Sequence, residues 1–250
     1  MSKKILLCGD SFGIIDKKYP GLHFSEKIQK KIGDCDFINL SVSGHSNSLI
    51  ELQVNQGLAA TPDAVIVLFT APNRIEFDRE HSQHHKSDVL NANKNDQWQM
   101  IKKFNHSSYI TSAHCQAPDN PESDNIVKIK KLVDDLEYYK NTEFEYIKQY
   151  FIVLSIFNLL TVKKIPFCYN LGGLKHSPGK YLPAVVDLLD KHILKKHFLN
   201  NELLLFTDKE INTDLWGSVI NFNQGPAFHV ADDNIQSSFA DECIFKLRLL

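Results

Sequence analysis

The chain opens with its sharpest pattern. Ile5-Leu6-Leu7-Cys8 is a continuous apolar run that stops at Gly9-Asp10-Ser11. Such a run predicts a strand buried on both faces, over 3–8, ended by a tight turn. Phe24, Ile28 and Ile32 then recur at helical spacing over 23–32, and Gly33 closes that helix. Phe37-Ile38-Asn39-Leu40 predicts a second strand. A small-residue loop over 41–48 leads into a helix over 49–58. Ala64-Val65-Ile66-Val67-Leu68-Phe69-Thr70 is rich in β-branched residues and predicts a central parallel strand.

The rhythm breaks over 71–124, a polar stretch that holds His81, His84, His85, His106 and His114. A long segment without a strong period is typical of a lid or substrate loop. Helical spacing returns over 125–163. Ile126, Ile129, Leu132, Val133 and Leu136 share one face. Phe144, Ile147, Phe151, Leu154, Phe157 and Leu160 share another, with a break near Asn141-Thr142. Residues 165–171 predict a fourth strand, with Pro166 at its start where no ladder bond is needed. A helix over 182–198, a short fifth strand over 203–206 and a last helix from Asp232-Asp233 to about 247 complete the pattern. Strands alternating with helices predict a three-layer α/β fold with a mostly parallel sheet of about five strands. No linker composition divides the chain, so 1–250 reads as a single domain with a polar insert at 71–124 and a helical pair at 125–163.

Composition narrows the class. At 43% hydrophobic, the 250 residues suffice for a real core. The 28 basic and 30 acidic residues nearly balance, which argues against a nucleic-acid or anionic-membrane partner. The first apolar run is shorter than the roughly 7–15 residues of a signal-peptide core, and no run approaches the ~20 apolar residues of a membrane helix. Cys8, Cys35, Cys115, Cys168 and Cys243 form no CxxC pair. They read as reduced thiols of a cytoplasmic protein. Composition sets no oligomeric state.

The candidate chemistry sits where strands end. Hydrolysis by serine needs a hydroxyl, a base, a group that orients the base, and donors for the oxyanion. Ser11 offers the hydroxyl, although Gly-Asp-Ser also makes an ordinary turn. Gly44, after the second strand, has no side chain to keep a ligand from its amide. Asn73 follows the third strand and could donate to the same oxyanion. His229 stands just before the last helix.

Gly9-Asp10-Ser11, Asn39-x-Ser41-x-x-Gly44, Asn73 and the late His229 resemble the SGNH/GDSL hydrolases. The resemblance covers about 1–77 and 222–247. Thr70-Ala71-Pro72-Asn73-Arg74 and His229-Val230-Ala231-Asp232 are similar to a diverged subgroup of phages and bacteria. The resemblance implies a flavodoxin-like α/β/α sandwich and an esterase, lipase, thioesterase or carbohydrate deacetylase that needs no cofactor. It implies Ser11 as nucleophile, His229 as general base and then acid, and Ser11 N–H, Gly44 N–H and the Asn73 side chain as the oxyanion hole. Asp10 would hold the nucleophile turn or touch substrate. Arg74 would meet an acidic substrate group or hold the insert.

The chain departs from the family twice. Ala71-Pro72-Asn73-Arg74 stands where Gly-x-Asn-Asp is usual, and Pro226 stands where an aspartate normally precedes the histidine. A main-chain carbonyl near Pro226 or a carboxylate from elsewhere would then orient His229. Asp232 and Asp233 are near in sequence, but they read better as the N-cap and first-turn residue of the last helix, where carboxylates suit the dipole. The expectation is therefore hydrolysis of a small-molecule or glycan ester, with a catalytically silent glycan- or protein-binding protein as the alternative. His81 and His85 stand four apart, yet no second pair has metal-ligand spacing, so no metal is expected. His85 remains a candidate substrate contact. The chain has neither GxxxxGK nor GxGxxG, which argues against a phosphorylated cofactor.

Overall fold

Apolar runs bounded by turns become a parallel sheet because burying both of their faces requires a layer of helices on each side. The computed structural model describes residues 2–15, 20–70, 74, 76–78, 109–111, 142–171, 197, 199 and 233–249. In chain order the elements are β1 (Lys3–Cys8), α1 (Phe24–Ile32), β2 (Cys35–Asn39), α2 (Asn47–Gly57), β3 (Ala64–Leu68), β4 (Glu76–Asp78), β5 (Tyr109–Thr111), α3 (Thr142–Val162), β6 (Phe167–Asn170) and α4 (Asp233–Leu247).

The main sheet has the order β2-β1-β3-β6, with every pair parallel. Alternate side chains serve opposite layers. Leu6, Cys8, Val65, Val67, Phe167 and Tyr169 pack with Ile50 and Val54 of α2 and with Val153, Ile156 and Phe157 of α3. Ile5, Leu7, Ile66, Leu68 and Cys168 pack with Phe24 and Ile28 of α1 and with Phe239, Cys243 and Ile244 of α4. Each fully buried side chain of this size stabilises the fold by about 1.5–3 kcal/mol. The result is an α/β/α sandwich.

The strand order locates the site. The chain leaves β1 for β2 on one side, then returns through α2 to β3 on the other. Loops after β1 and β3 therefore part in opposite directions. Such a switch point leaves a crevice at the carboxyl ends of the two strands, where open α/β sheets bind ligands.

Local chemistry explains the helix ends. His23 and Glu26 form a reciprocal capping box at the start of α1, and Gly33 at φ 82° ends it. Ser46 caps α2 by accepting from Leu49 N at 3.2 Å, so the helix begins earlier than its apolar spacing suggests.

Two features differ from the pattern. The insert carries regular structure, since β4 and β5 pair antiparallel with Phe77 opposite Ile110. Three-residue strands are too short to show a period. In α3, Phe144, Ile147 and Phe151 are exposed at 60%, 43% and 62%, whereas Ile152, Val153, Ile156, Phe157 and Leu160 are buried. The inward face is therefore rotated from the expected stripe at its N-terminal half. A helix apolar on most sides does not declare which face goes inward.

The expected helices at 125–141 and 182–198 and the strand at 203–206 lie outside the described residues, apart from His197. Beyond β6, Leu199 N donates to Tyr169 O at 2.9 Å. His197 Nδ1 donates to Phe167 O at 2.8 Å, and its ring stacks on Phe167 at 4.1 Å. These contacts occupy part of the β6 edge. Among the described residues, no helix is long and apolar enough to cross a membrane.

Candidate active site

At the end of β1 the chain makes one turn of 3-10 helix, Ser11–Gly13, with Asp10 as its cap. Asp10 Oδ1 accepts from Phe12 N at 3.1 Å, and its main-chain O accepts from Gly13 N at 3.1 Å. Its Oδ2 accepts from Thr70 Oγ1 at 2.7 Å and pairs with Arg74 Nη2 at 3.3 Å. Thr70 and Arg74 follow β3, so these contacts cross the β1/β3 crevice. Asp10 is 2% exposed and both its oxygens are engaged inside the protein. Arg74 also donates through Nη1 to His45 O at 2.5 Å. Burial pulls the Arg74 guanidinium below its ordinary pKa, and the Asp10 carboxylate pulls it back up. Asp10 and Arg74, both candidates for substrate contact, thus bind each other and the surrounding loops.

The residue before Asp10 is held with equal care. Gln53, buried on α2, accepts from Gly9 N at 2.7 Å and donates through Nε2 to Gly9 O at 3.0 Å. The same Nε2 donates to His45 Nδ1 at 3.0 Å, which places the His45 ring proton on Nε2. The loop after β2 closes on this turn. Val42 N donates to Gly9 O at 3.2 Å, and Asn39 Nδ2 donates to Gly13 O at 2.7 Å. Gly44 has φ 74°, a left-handed conformation that strains any residue with a Cβ.

A third support comes from α1. His23 is fully buried, and its Nδ1 accepts from Ser25 N at 3.3 Å. That leaves Nε2–H to donate to Phe12 O at 3.0 Å. Burial lowers the His23 pKa, opposed by the Phe12 bond and by Glu26. On the β3 side, Asn47 accepts from Thr70 N at 2.8 Å and donates to Thr70 O at 2.9 Å and to Gln149 Oε1 at 2.7 Å. Glu76 of β4 accepts from Ser46 Oγ at 2.5 Å, tying the insert to the start of α2.

Ser11, Gly44 and Arg74 therefore stand at the ends of the neighbouring strands β1, β2 and β3, with Ser11 partly buried. Asn73, His85, Asp232 and His229 lie outside the described residues, as does Pro226. Asp233 begins α4 and pairs with Lys27 of α1 at 2.5 Å, as a first-turn carboxylate. The sequence pattern did not single out Gln53, His45, His23 or Thr70 for these roles. Two left a signal: Gln53 is a polar residue beside apolar Ile50 and Val54, and His23 precedes Glu26 by three positions. Among the described residues, no group of three or more His, Cys, Asp or Glu side chains is arranged to hold a metal ion.

No protein-family model matches the chain, and no curated protein matches it in sequence. Solved structures do. A protein from Desulfitobacterium hafniense DCB-2, named provisionally as a lipolytic protein of the G-D-S-L family, aligns over 100% of both chains with a TM-score of 0.50. The fold is that of the SGNH/GDSL hydrolases. At 9% identity the fold is what the two chains share. The acetyl xylan esterase AlAXEase aligns over 96% of each chain, at 11% identity and a TM-score of 0.43. In this chain Gly9-Asp10-Ser11 stands at the turn after β1.

Proposed function

We propose that the protein is a serine ester hydrolase of the SGNH type, acting on a small-molecule, lipid or glycan ester. Ser11 attacks the ester carbonyl while His229 takes its proton, and His229 then gives that proton to the departing alcohol. Water, activated by the same histidine, attacks the acyl-serine, releases the acid and restores Ser11. Ser11 N–H, Gly44 N–H and the Asn73 side chain stabilise the oxyanion of both tetrahedral intermediates.

The observation that carries this reading is the support of the Ser11 turn. Asp10, the residue before Ser11, is buried against Thr70 and Arg74 at the β1/β3 switch point, and the carboxyl ends of strands at such a point are where open α/β sheets bind ligands. A fluorophosphonate probe tests it. We expect covalent labelling of Ser11 in the wild type and none in Ser11→Ala, with parallel loss of p-nitrophenyl ester hydrolysis. Folded wild-type protein that takes up no label at Ser11 would overturn the reading.

Pro226, in place of the aspartate that the resemblance leads one to expect, favours a second reading. In that reading the fold binds a glycan or protein without turnover, and Ser11→Ala leaves binding intact.

A further inference from the structure

We propose that Arg74 is a positioning residue for the Ser11 reaction, clamping the Gly44 loop against the Ser11 turn. The inference rests on the reading of Ser11 as nucleophile. Beside the bonds from Val42 N to Gly9 O and from Asn39 to Gly13 O, its basis is two side-chain bridges that meet at His45. Gly9 and Asp10 directly precede Ser11, and His45 directly follows Gly44. One bridge is neutral: Gln53 binds the Gly9 main chain with both ends of its amide and holds the His45 ring. The other is ionic: Arg74 binds the Asp10 carboxylate through Nη2 and the His45 carbonyl through Nη1. The His45 main chain also donates to Val42 O at 3.3 Å.

The planar guanidinium makes the second bridge rigid. Two of its donors point at acceptors on different loops, and neither loop can move relative to the other without breaking one bond. A buried ion pair adds little net stability when compared with apolar groups that fill the same space. The distinctive effect of Arg74 is therefore geometric. It adds a second fixed span to the one Gln53 makes between the nucleophile turn and the loop that carries Gly44, and a positioning error of about 1 Å lowers rates by as much as roughly 100-fold.

The test separates geometry from charge balance. Arg74→Met alone leaves Asp10 buried without its counter-charge, so the double variant Asp10→Asn/Arg74→Met, which leaves neither charge in place, is compared with Asp10→Asn, in which Arg74 loses its counter-charge but keeps its bond to the His45 carbonyl. We measure the rate of Ser11 labelling by the fluorophosphonate, kcat and KM for p-nitrophenyl acetate, and the thermal midpoint. Asp10→Asn/Arg74→Met, which no longer buries an unpaired cation, is expected to equal or exceed Asp10→Asn in midpoint and to match it in KM, while labelling rate and kcat fall by roughly 10- to 100-fold. Arg74→Lys, which reaches one acceptor at a time, is expected to fall between. Labelling of the double variant at the rate of Asp10→Asn overturns this inference and leaves the nucleophile reading standing. Absence of label on folded wild type overturns the nucleophile reading, and this inference with it.

Discussion

At the scale of the residue, Gly9 shows how closely the site is built into the sheet. A Cβ added there would lie 2.8 Å from Leu68 Cβ and 3.2 Å from Leu68 O. Both atoms belong to a strand in register with β1, so they have little room to retreat. Gly9→Ala is expected to lower the unfolding free energy by about 1–3 kcal/mol, the usual penalty for overpacking. A urea titration reads the change, and an unaltered midpoint would show that β3 yields after all. Because Gln53 holds Gly9 on both sides, the shift should reach Ser11 as well and slow its labelling. The same residues mark the limit of sequence reading. Gly9-Asp10-Ser11 was legible as a strand end and turn, because each residue type favours that conformation. The partners of Asp10 were not. Thr70 and Arg74 become its neighbours through the β1/β3 pairing, and strand order is not written in the spacing of apolar residues.

At the scale of the element, α1 links helix capping to the nucleophile turn. Neutral His23 accepts from Ser25 N at the helix start and donates to Phe12 O in the turn. Protonation would place a hydrogen on the accepting Nδ1 and break the cap. Burial lowers the folded-state pKa below the ordinary value near 6.5, so at mildly acid pH the unfolded chain binds the proton more readily. The stabilisation from neutral His23 is fully present above about pH 6.5. It is lost as pH falls from there through the lowered folded-state value. Urea midpoints of wild type and His23→Asn, compared between pH 7.5 and 5, test this, since asparagine caps a helix without titrating. The wild type should lose more stability than the variant over that range, and parallel curves would remove His23 as the cause. Element existence was largely legible here. The apolar spacing at 24, 28 and 32 and the closing Gly33 gave α1. The orientation of α3 and the short β4–β5 pair were not, because one is apolar on most sides and the other is too short for periodicity.

At the scale of the whole molecule, α1 and α4 join distant parts of the chain on one face of the sheet. The α/β alternation announced this layered architecture, but it did not announce which helices would touch. Two kinds of contact hold them. Phe24 and Phe239 meet edge to face at 4.9 Å, and Gln236 accepts from Phe24 N at 2.8 Å. At the rim, Lys27 pairs with Asp233 and Lys31 with Asp241, each at 2.5 Å. Magnitudes decide between them. Both aspartate side chains are 62% exposed, and exposed pairs contribute about 0–1 kcal/mol because water and salt screen them. Phe239 is fully buried, and truncating such an aromatic to alanine costs about 3–5 kcal/mol. Phe239→Ala should therefore destabilise the protein severely in chemical denaturation, while Asp241→Asn should barely move the midpoint, even at low salt. The reverse order would mean that charge, not apolar burial, docks the helix. The docking also bears on the proposed chemistry, because His229 lies a few residues before α4 in the sequence. If α4 anchors that histidine, Phe239→Ala should lose Ser11 labelling at denaturant concentrations where most of the protein is still folded. Labelling that persists until global unfolding would separate the reactivity of Ser11 from the anchoring of α4.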